Sequence, residues 1–194
     1  MRLDHVIYVT GDLDAAASRV ESELGLSSVP GGRHPGHGTH NRIVPLGGGY
    51  LELMAIADPE EAADSPMGGP ILRRLEERGD GLFAWVVLVD GVEALAERLD
   101  LPLITVTREG LSARVAGLAD ALNNPVLPFF LERDEGVADP GEGGNAGGIT
   151  WLEVAGDGEE LERRLDGADL PVSLVEGPVG VVAMGIGDRE LRNV

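Results

Sequence analysis

All four histidines of this 194-residue chain lie within its first 40 positions. His5 sits in a β-rich run, while His34, His37 and His40 recur three apart in and after a Gly/Pro-rich segment, with Arg42 close behind. Further on, Glu52 stands alone among Leu51, Leu53, Met54 and Ile56. A lone carboxylate is costly to bury unless something pairs with it, so this position marks Glu52 as a candidate for chemistry. The spacing of the three loop histidines would gather ligands on one face only in a helix, and a Gly/Pro loop implies no shared face. With Cys 0 there is no thiolate ligand, cysteine nucleophile or disulfide, so any metal must be held by His, carboxylate, amide or water. All fifteen basic residues are Arg, which removes Schiff-base and phosphate-loop lysine chemistry.

The formal charge of −19 and pI near 4.4 repel phosphate backbones, and no basic stripe interrupts the acidity, so nucleic acid is not an expected partner. No run approaches the roughly 20 apolar residues that cross a bilayer. The first residues enter a strand pattern with no secretory apolar region, so no membrane is expected and the cytoplasm is the expected address.

These side chains need elements to carry them. Residues 3 to 9 alternate as a strand with Leu3, His5, Ile7 and Val9 on one face. Gly11-Asp12 cap a helix whose apolar positions Ala16, Ala17, Val20 and Leu24 keep helical spacing until Gly25 stops it. The Gly, Pro and Ser content of 27 to 39 predicts a long loop. Strands follow at 40 to 46 and 50 to 56 around a Gly47-Gly48-Gly49 turn, with Tyr50, Glu52 and Met54 on one face of the return strand. His40 and Arg42 share a face expected to reach the cavity, with Asn41 structural on the other. Arg42 there could clamp a carboxylate or phosphate, or form a rim salt bridge.

A short helix is predicted at 71 to 78, and a strand at 82 to 89 with a helix at 92 to 99 then restates the opening with a shift of about 80 residues. Short strands are predicted at 103 to 107 and 112 to 118, although Leu111, Val115, Leu118 and Leu122 would also suit a helix. A strand at 128 to 132 places Glu132 one aligned unit after Glu52. A Gly/Asp/Glu-rich linker, 134 to 148, precedes a last unit of strand 149 to 154, helix 158 to 165 and strands 172 to 175 and 179 to 186. The expected architecture is α+β: a single domain over 1–194 with a module at 1–58, a second at 80–134 and a third βαββ unit at 148–194.

Several of these stretches also carry a resemblance. Leu3-Asp4-His5-Val6, Asp12-Leu13-Asp14-Ala15-Ala16, Gly38-Thr39-His40-Asn41-Arg42, Pro45-Leu46-Gly47 and Tyr50-Leu51-Glu52-Leu53 resemble the opening of a glyoxalase-like domain of the vicinal oxygen chelate superfamily. Pro128-Phe129-Phe130-Leu131 resembles a later signature of the same group. The resemblance implies the glyoxalase, bleomycin-resistance and dioxygenase fold: paired βαβββ modules forming a curved mixed sheet around a cavity. In metal-dependent isomerases of that superfamily, a first-strand His and a fourth-strand Glu from each module hold one divalent ion. By that correspondence His5, Glu52 and Glu132 are the implied metal ligands, His40 or a metal-bound carboxylate would move protons, and Arg42 would orient the substrate.

The sequence departs from the pattern at Ala84, where the second module's His would stand, and at Arg133 and Asp139-Pro140, where a Trp and a His-Pro are expected. Without a metal, His5 becomes a general base tuned by a neighbouring carboxylate. Two functional expectations result. One is a divalent-metal-dependent lyase or isomerase acting on a small oxygen-rich substrate; the alternative is a metal-free protein that binds or sequesters a small molecule in the same cavity. Unpaired strand edges would favour a homodimer.

Overall fold

The computed structural model describes residues 1–108 and 111–193, without the side chains of Arg108 and Leu111. The first unit comprises β1 (Arg2–Val9), α1 (Leu13–Leu24), β2 (Val29–His34), β3 (Thr39–Pro45) and β4 (Tyr50–Ile56). Asp12 caps α1 by accepting from the amides of Asp14 and Ala15, and Gly25, at φ 65°, closes it in the left-handed conformation. The helices α2 (Pro59–Ala63) and α3 (Gly68–Arg78) lead into β5 (Gly81–Leu88), α4 (Val92–Leu99), β6 (Leu103–Arg108), β7 (Leu111–Ala116), α5 (Leu118–Asn123) and β8 (Phe129–Arg133). The last unit is β9 (Ile149–Ala155), α6 (Gly158–Leu165), β10 (Val172–Leu174), β11 (Gly180–Ile186) and β12 (Arg189–Arg192).

Eight strands form one mixed sheet in the order β2-β3-β4-β1-β5-β8-β7-β6. The order is palindromic about the antiparallel β1/β5 pair, and each half contains one parallel pair, β1 with β4 and β5 with β8. The sheet curls so strongly into a half-barrel that its edge strands β2 and β6 approach each other. No hydrogen-bonded ladder joins β2 to β6 among the described residues. On the outer face, α1 and α4 bury Leu13, Val20, Leu95 and Leu99 against Leu51, Leu53, Trp85 and Phe130. The inner face carries a second cluster that includes Ile7, Met54, Val86, Phe129 and Leu131.

The last unit makes its own four-stranded sheet, β10-β9-β11-β12, and does not extend the curled one. It docks through β11 against β5, and the Asn193 side chain binds both backbone groups of Leu82.

Two predicted loops differ from expectation. Within the predicted loop 27–39, residues 29–34 form an edge strand paired with β3, with a register shift between Pro30 and Arg33. Gly31 lies so close to β3 that a Cβ there would stand 1.9 Å from Oδ1 of Asn41, which is why this strand can contain the glycine. The acidic connection 134–148 is packed and not free: Ala146 is buried, and Gly141 and Gly144 lie against the backbone of Gly49 and Pro45, where no side chain fits.

Candidate active site

The cavity inside the curl begins with an irregularity in β1. Leu3 and His5 pair with the adjacent residues Val87 and Val86 of β5, so Asp4 is an extra residue bulged out of the ladder. A bulge re-aims the side chains beside it. Leu3 therefore turns to the helix side, whereas His5 turns inward with Asp4 against it, and Asp4 is fully buried. The alternation predicted for Leu3 through Val9 is broken at this point.

His5 is held on three sides. Its Nδ1 lies 2.8 Å from Oδ2 of Asp4, its Nε2 lies 3.4 Å from Oε2 of Glu52, and its ring stacks on Tyr50 with centroids 4.3 Å apart. Arg133 closes the far side of Asp4 with a two-pronged contact, Nη1 to Oδ1 at 2.9 Å and Nη2 to Oδ2 at 2.6 Å. Asn41 donates its side-chain amide to Oε1 of Glu52. His34, bound through Nδ1 to Thr39 Oγ1 at 2.9 Å, also lines the cavity.

The charges follow from these contacts. Burial alone would raise the Glu52 carboxyl, but the hydrogen bond and charge of His5, with His34 and Asn41, bring it down to about 2. Burial likewise opposes ionisation of Asp4, and His5 and Arg133 outweigh it, again to about 2. For His5, burial favours the neutral ring, yet Asp4 and Glu52 together raise its pKa above the ordinary 6.5. The site thus favours a protonated His5 ring between two carboxylates, with a guanidinium behind one of them.

Around this ionic cluster the cavity is apolar, walled by residues such as Ile7, Met54, Ile71, Leu118, Leu122 and Phe129. Its volume is about 120 Å³, below the roughly 300–1,000 Å³ of drug-sized pockets. Only a small ligand fits without rearrangement.

The register divides the predicted site residues. In β3 and β4, Ile43 faces Glu52 and Asn41 faces Met54, while Pro45 pairs with Tyr50 around a four-residue loop, Leu46 to Gly49. A turn of only the three glycines would shift the pairing by one, and a one-residue slip exchanges the faces of a strand. Asn41 therefore turns to the inner face, where it binds Glu52, and His40 and Arg42 do not, which reverses the expected orientation of all three. Arg42 instead donates through Nε to Ser28 Oγ at 2.9 Å and lies 3.4 Å from Asp14. His40 pairs with Arg33 on the edge strand, beside the charge of Asp14. His37 bonds to Ser65, so the three loop histidines do not assemble.

Glu132 also lies outside the cavity, because Phe129, Leu131 and Arg133 take the inward positions of β8. It accepts from the amides of Gly91 and Val92 at 3.2 and 2.8 Å, capping α4, whose own cap residue is a glycine without a side-chain acceptor. The ladder identifies the true counterparts. His5 pairs with Tyr50 and Ile7 with Glu52, as Val86 pairs with Phe129 and Leu88 with Leu131. Val86 and Leu131, and not Ala84 and Glu132, stand where a second His and Glu would.

Asp4 and Arg133 are the functional candidates that strand alternation could not find. Asp4 is next to His5 and would face away without the bulge, and Arg133 follows a glutamate that drew attention to the wrong face.

The donor set does not fit the four-ligand metal centre that the resemblance implies. One half supplies His5 and Glu52, and the other supplies Val86 and Leu131, which cannot ligate. Among the described residues no group of three or more His, Cys, Asp or Glu is placed to hold a metal ion.

A sequence profile described as a glyoxalase-like domain matches residues 3–167. No curated protein matches the chain by sequence. Among solved structures, a hypothetical protein from Staphylococcus aureus is similar with a TM-score of 0.70 and 15% identity, over 93% of this chain and 88% of that one. Methylmalonyl-CoA epimerase from Mycobacterium tuberculosis is similar at TM-score 0.52 and 20% identity, over 68% of this chain and 86% of that one. A methylmalonyl-CoA epimerase in complex with methylmalonyl-CoA and ammonium gives 0.53 and 19%, over 69% and 95%. At these identities the likeness is one of fold.

Proposed function

The chain belongs to the glyoxalase-like domain family and has the fold of the vicinal oxygen chelate superfamily, and from that premise we propose that it moves a proton on a small carbonyl compound bound in the curled sheet. The carrying observation is His5, buried between Asp4 and Glu52 at one end of an apolar cavity. Near neutral pH this reading has His5 as the proton donor and Glu52 as the acceptor. Asp4, itself locked by Arg133, fixes the ring so that Nε2 faces the cavity.

A carboxylate with a pKa near 2 is a poor base in the empty site. A substrate oxygen seated beside Nε2 would draw the imidazolium proton to itself and leave Glu52 buried with one fewer partner. Its proton affinity would then rise as a carbon-bound proton comes within reach. Donor and acceptor would serve one enolisation, giving isomerase or lyase chemistry. No step runs through a metal, because the second module offers no ligand.

The test is proton NMR in deuterium oxide of short 2-oxo and 2-hydroxy acids and aldehydes with the wild-type protein and Glu52→Gln. The expected result is catalysed exchange of a carbon-bound hydrogen in at least one compound, lost in the variant and unaffected by chelator. Exchange that appears only when nickel, zinc or manganese is added would restore the metal-dependent reading. Saturable binding without exchange, unaltered in His5→Ala with Glu52→Gln, would establish the sequestration reading and remove the catalytic one.

A further inference from the structure

A second and larger recess lies outside the cavity of the curled sheet, between α1, α3 and the C-terminal unit, with a volume of about 1090 Å³. The whole chain carries 34 acidic residues against 15 arginines, yet this recess is lined by five arginines, Arg19, Arg73, Arg74, Arg78 and Arg192, against Glu23, Glu77 and Asp80. The local balance is opposite in sign to that of the protein.

Four of these five arginines also differ from most of those elsewhere. Arg19, Arg73, Arg74 and Arg78 form no ion pair with a carboxylate of the described residues, whereas nine other arginines do, among them Arg192 with Glu153 and Glu190. Arg73 has Glu77 one turn along α3 but donates to the Asn123 side chain at 2.8 Å. Arg19 donates to the Tyr8 hydroxyl and stacks on its ring, and Arg74 donates to the carbonyl of Gly79 at 2.5 Å. Asp80 is already engaged by Thr10 Oγ1 and the amide of Gly11, at 2.6 and 2.9 Å. Arg74 and Arg78 stand one turn apart on α3, a like-charge pair that destabilises a helix unless an anion lies between them. Burial, and then Arg78, push the Arg74 pKa down. Facing the arginines, Pro178, Val179 and Val182 form an apolar wall, with Val179 52% exposed.

We propose that this recess is a binding site for a small organic polyanion carrying two or more phosphate groups, the phosphates on the α1 and α3 arginines and the organic part on the Pro178–Val182 wall. Guanidinium groups are suited to phosphate because their planar donors match its oxygens. The negative charge of the rest of the molecule opposes this at long range, but it is screened beyond a Debye length of about 8 Å at physiological salt. The proposal uses none of the residues of the sheet cavity, so it stands or falls separately from the proton-transfer reading.

Calorimetry of the intact chain with ATP and with pyrophosphate is the test, using Arg73→Gln with Arg78→Gln as the variant because both side chains are exposed and neither supports the core. The expected results are saturable binding, tighter for ATP, weakened by added salt, and reduced about tenfold or more in the double variant. His5→Gln should bind both probes as the wild type does. No binding of either probe at about 1 mM, or binding that the double variant leaves unchanged, would overturn the proposal. So would a wild-type dimer in sedimentation that the double variant converts to monomer, since the recess would then hold a second copy of the chain.

Discussion

Replacing Glu52 with Gln keeps the shape of the site and removes one of the two charges that hold His5 protonated. At 3.4 Å the bare attraction between unit charges is about 5 kcal/mol at an effective dielectric near 20. That is a ceiling, because both groups have been taken out of water. A hydrogen bond to a charged group contributes a net of about 1.5–3 kcal/mol, and 1.36 kcal/mol corresponds to one pH unit in a pKa. The His5 pKa should therefore fall by about one to two pH units in Glu52→Gln, with Asp4 still holding the ring. Only four histidines are present, so their ring protons can be followed individually by NMR across a pH titration. An unchanged His5 titration would mean that the contact with Glu52 carries no energy, and the proposed donor–acceptor pair would be refuted.

The remaining predictions concern stability. The folded pKa of His5 lies above its ordinary 6.5, so its contribution is complete below that pH and lost as pH rises through the folded value. Asp4 and Glu52, held near 2, contribute fully above 3.8 and 4.5 and lose that contribution as pH falls toward 2. Urea midpoints measured from acid to alkaline pH should therefore be highest between about pH 4.5 and 6.5, and a maximum on the alkaline side would contradict the assignment. Arg133→Met leaves the fully buried Asp4 with His5 as its remaining close cation and the exposed Arg2 3.8 Å away. Breaking a buried pair costs about 3 kcal/mol, a fall in Tm of roughly 6–12 °C for a chain of this size; a fall under about 2 °C would show that Asp4 does not depend on Arg133.

What was legible in the sequence depended on the range over which it is decided. Periodicity and caps are local, so Asp12 and Gly25 bounded α1 correctly. The inward placement of Glu52 was legible as well, because an isolated carboxylate among Leu51, Leu53 and Met54 has few stable alternatives. The facing of His40, Asn41 and Arg42 was not, because it depends on whether the hairpin loop contains three residues or four. The pairing of Asp4 with His5 depends on a bulge, and the outward turn of Glu132 depends on which residues of β8 meet β5. Each is a question of register, which is settled by partners distant in sequence and leaves little mark on the strand itself.

The palindromic sheet has a stereochemical consequence. Two equivalent halves would present a ligand with matching walls related by rotation, and a small molecule could enter in either of two orientations. Here one half offers His5, Glu52 and Asn41, while the equivalent positions of the other offer Val86, Leu131 and Ala113. A bound molecule therefore meets the His5–Glu52 pair on one side and mainly hydrocarbon at the equivalent positions of the other, where Arg133 is the charged exception and is engaged with Asp4, and only one of the two orientations satisfies both. This asymmetry makes the cavity handed, and on the proton-transfer reading a flat carbonyl group would receive its proton on one face only.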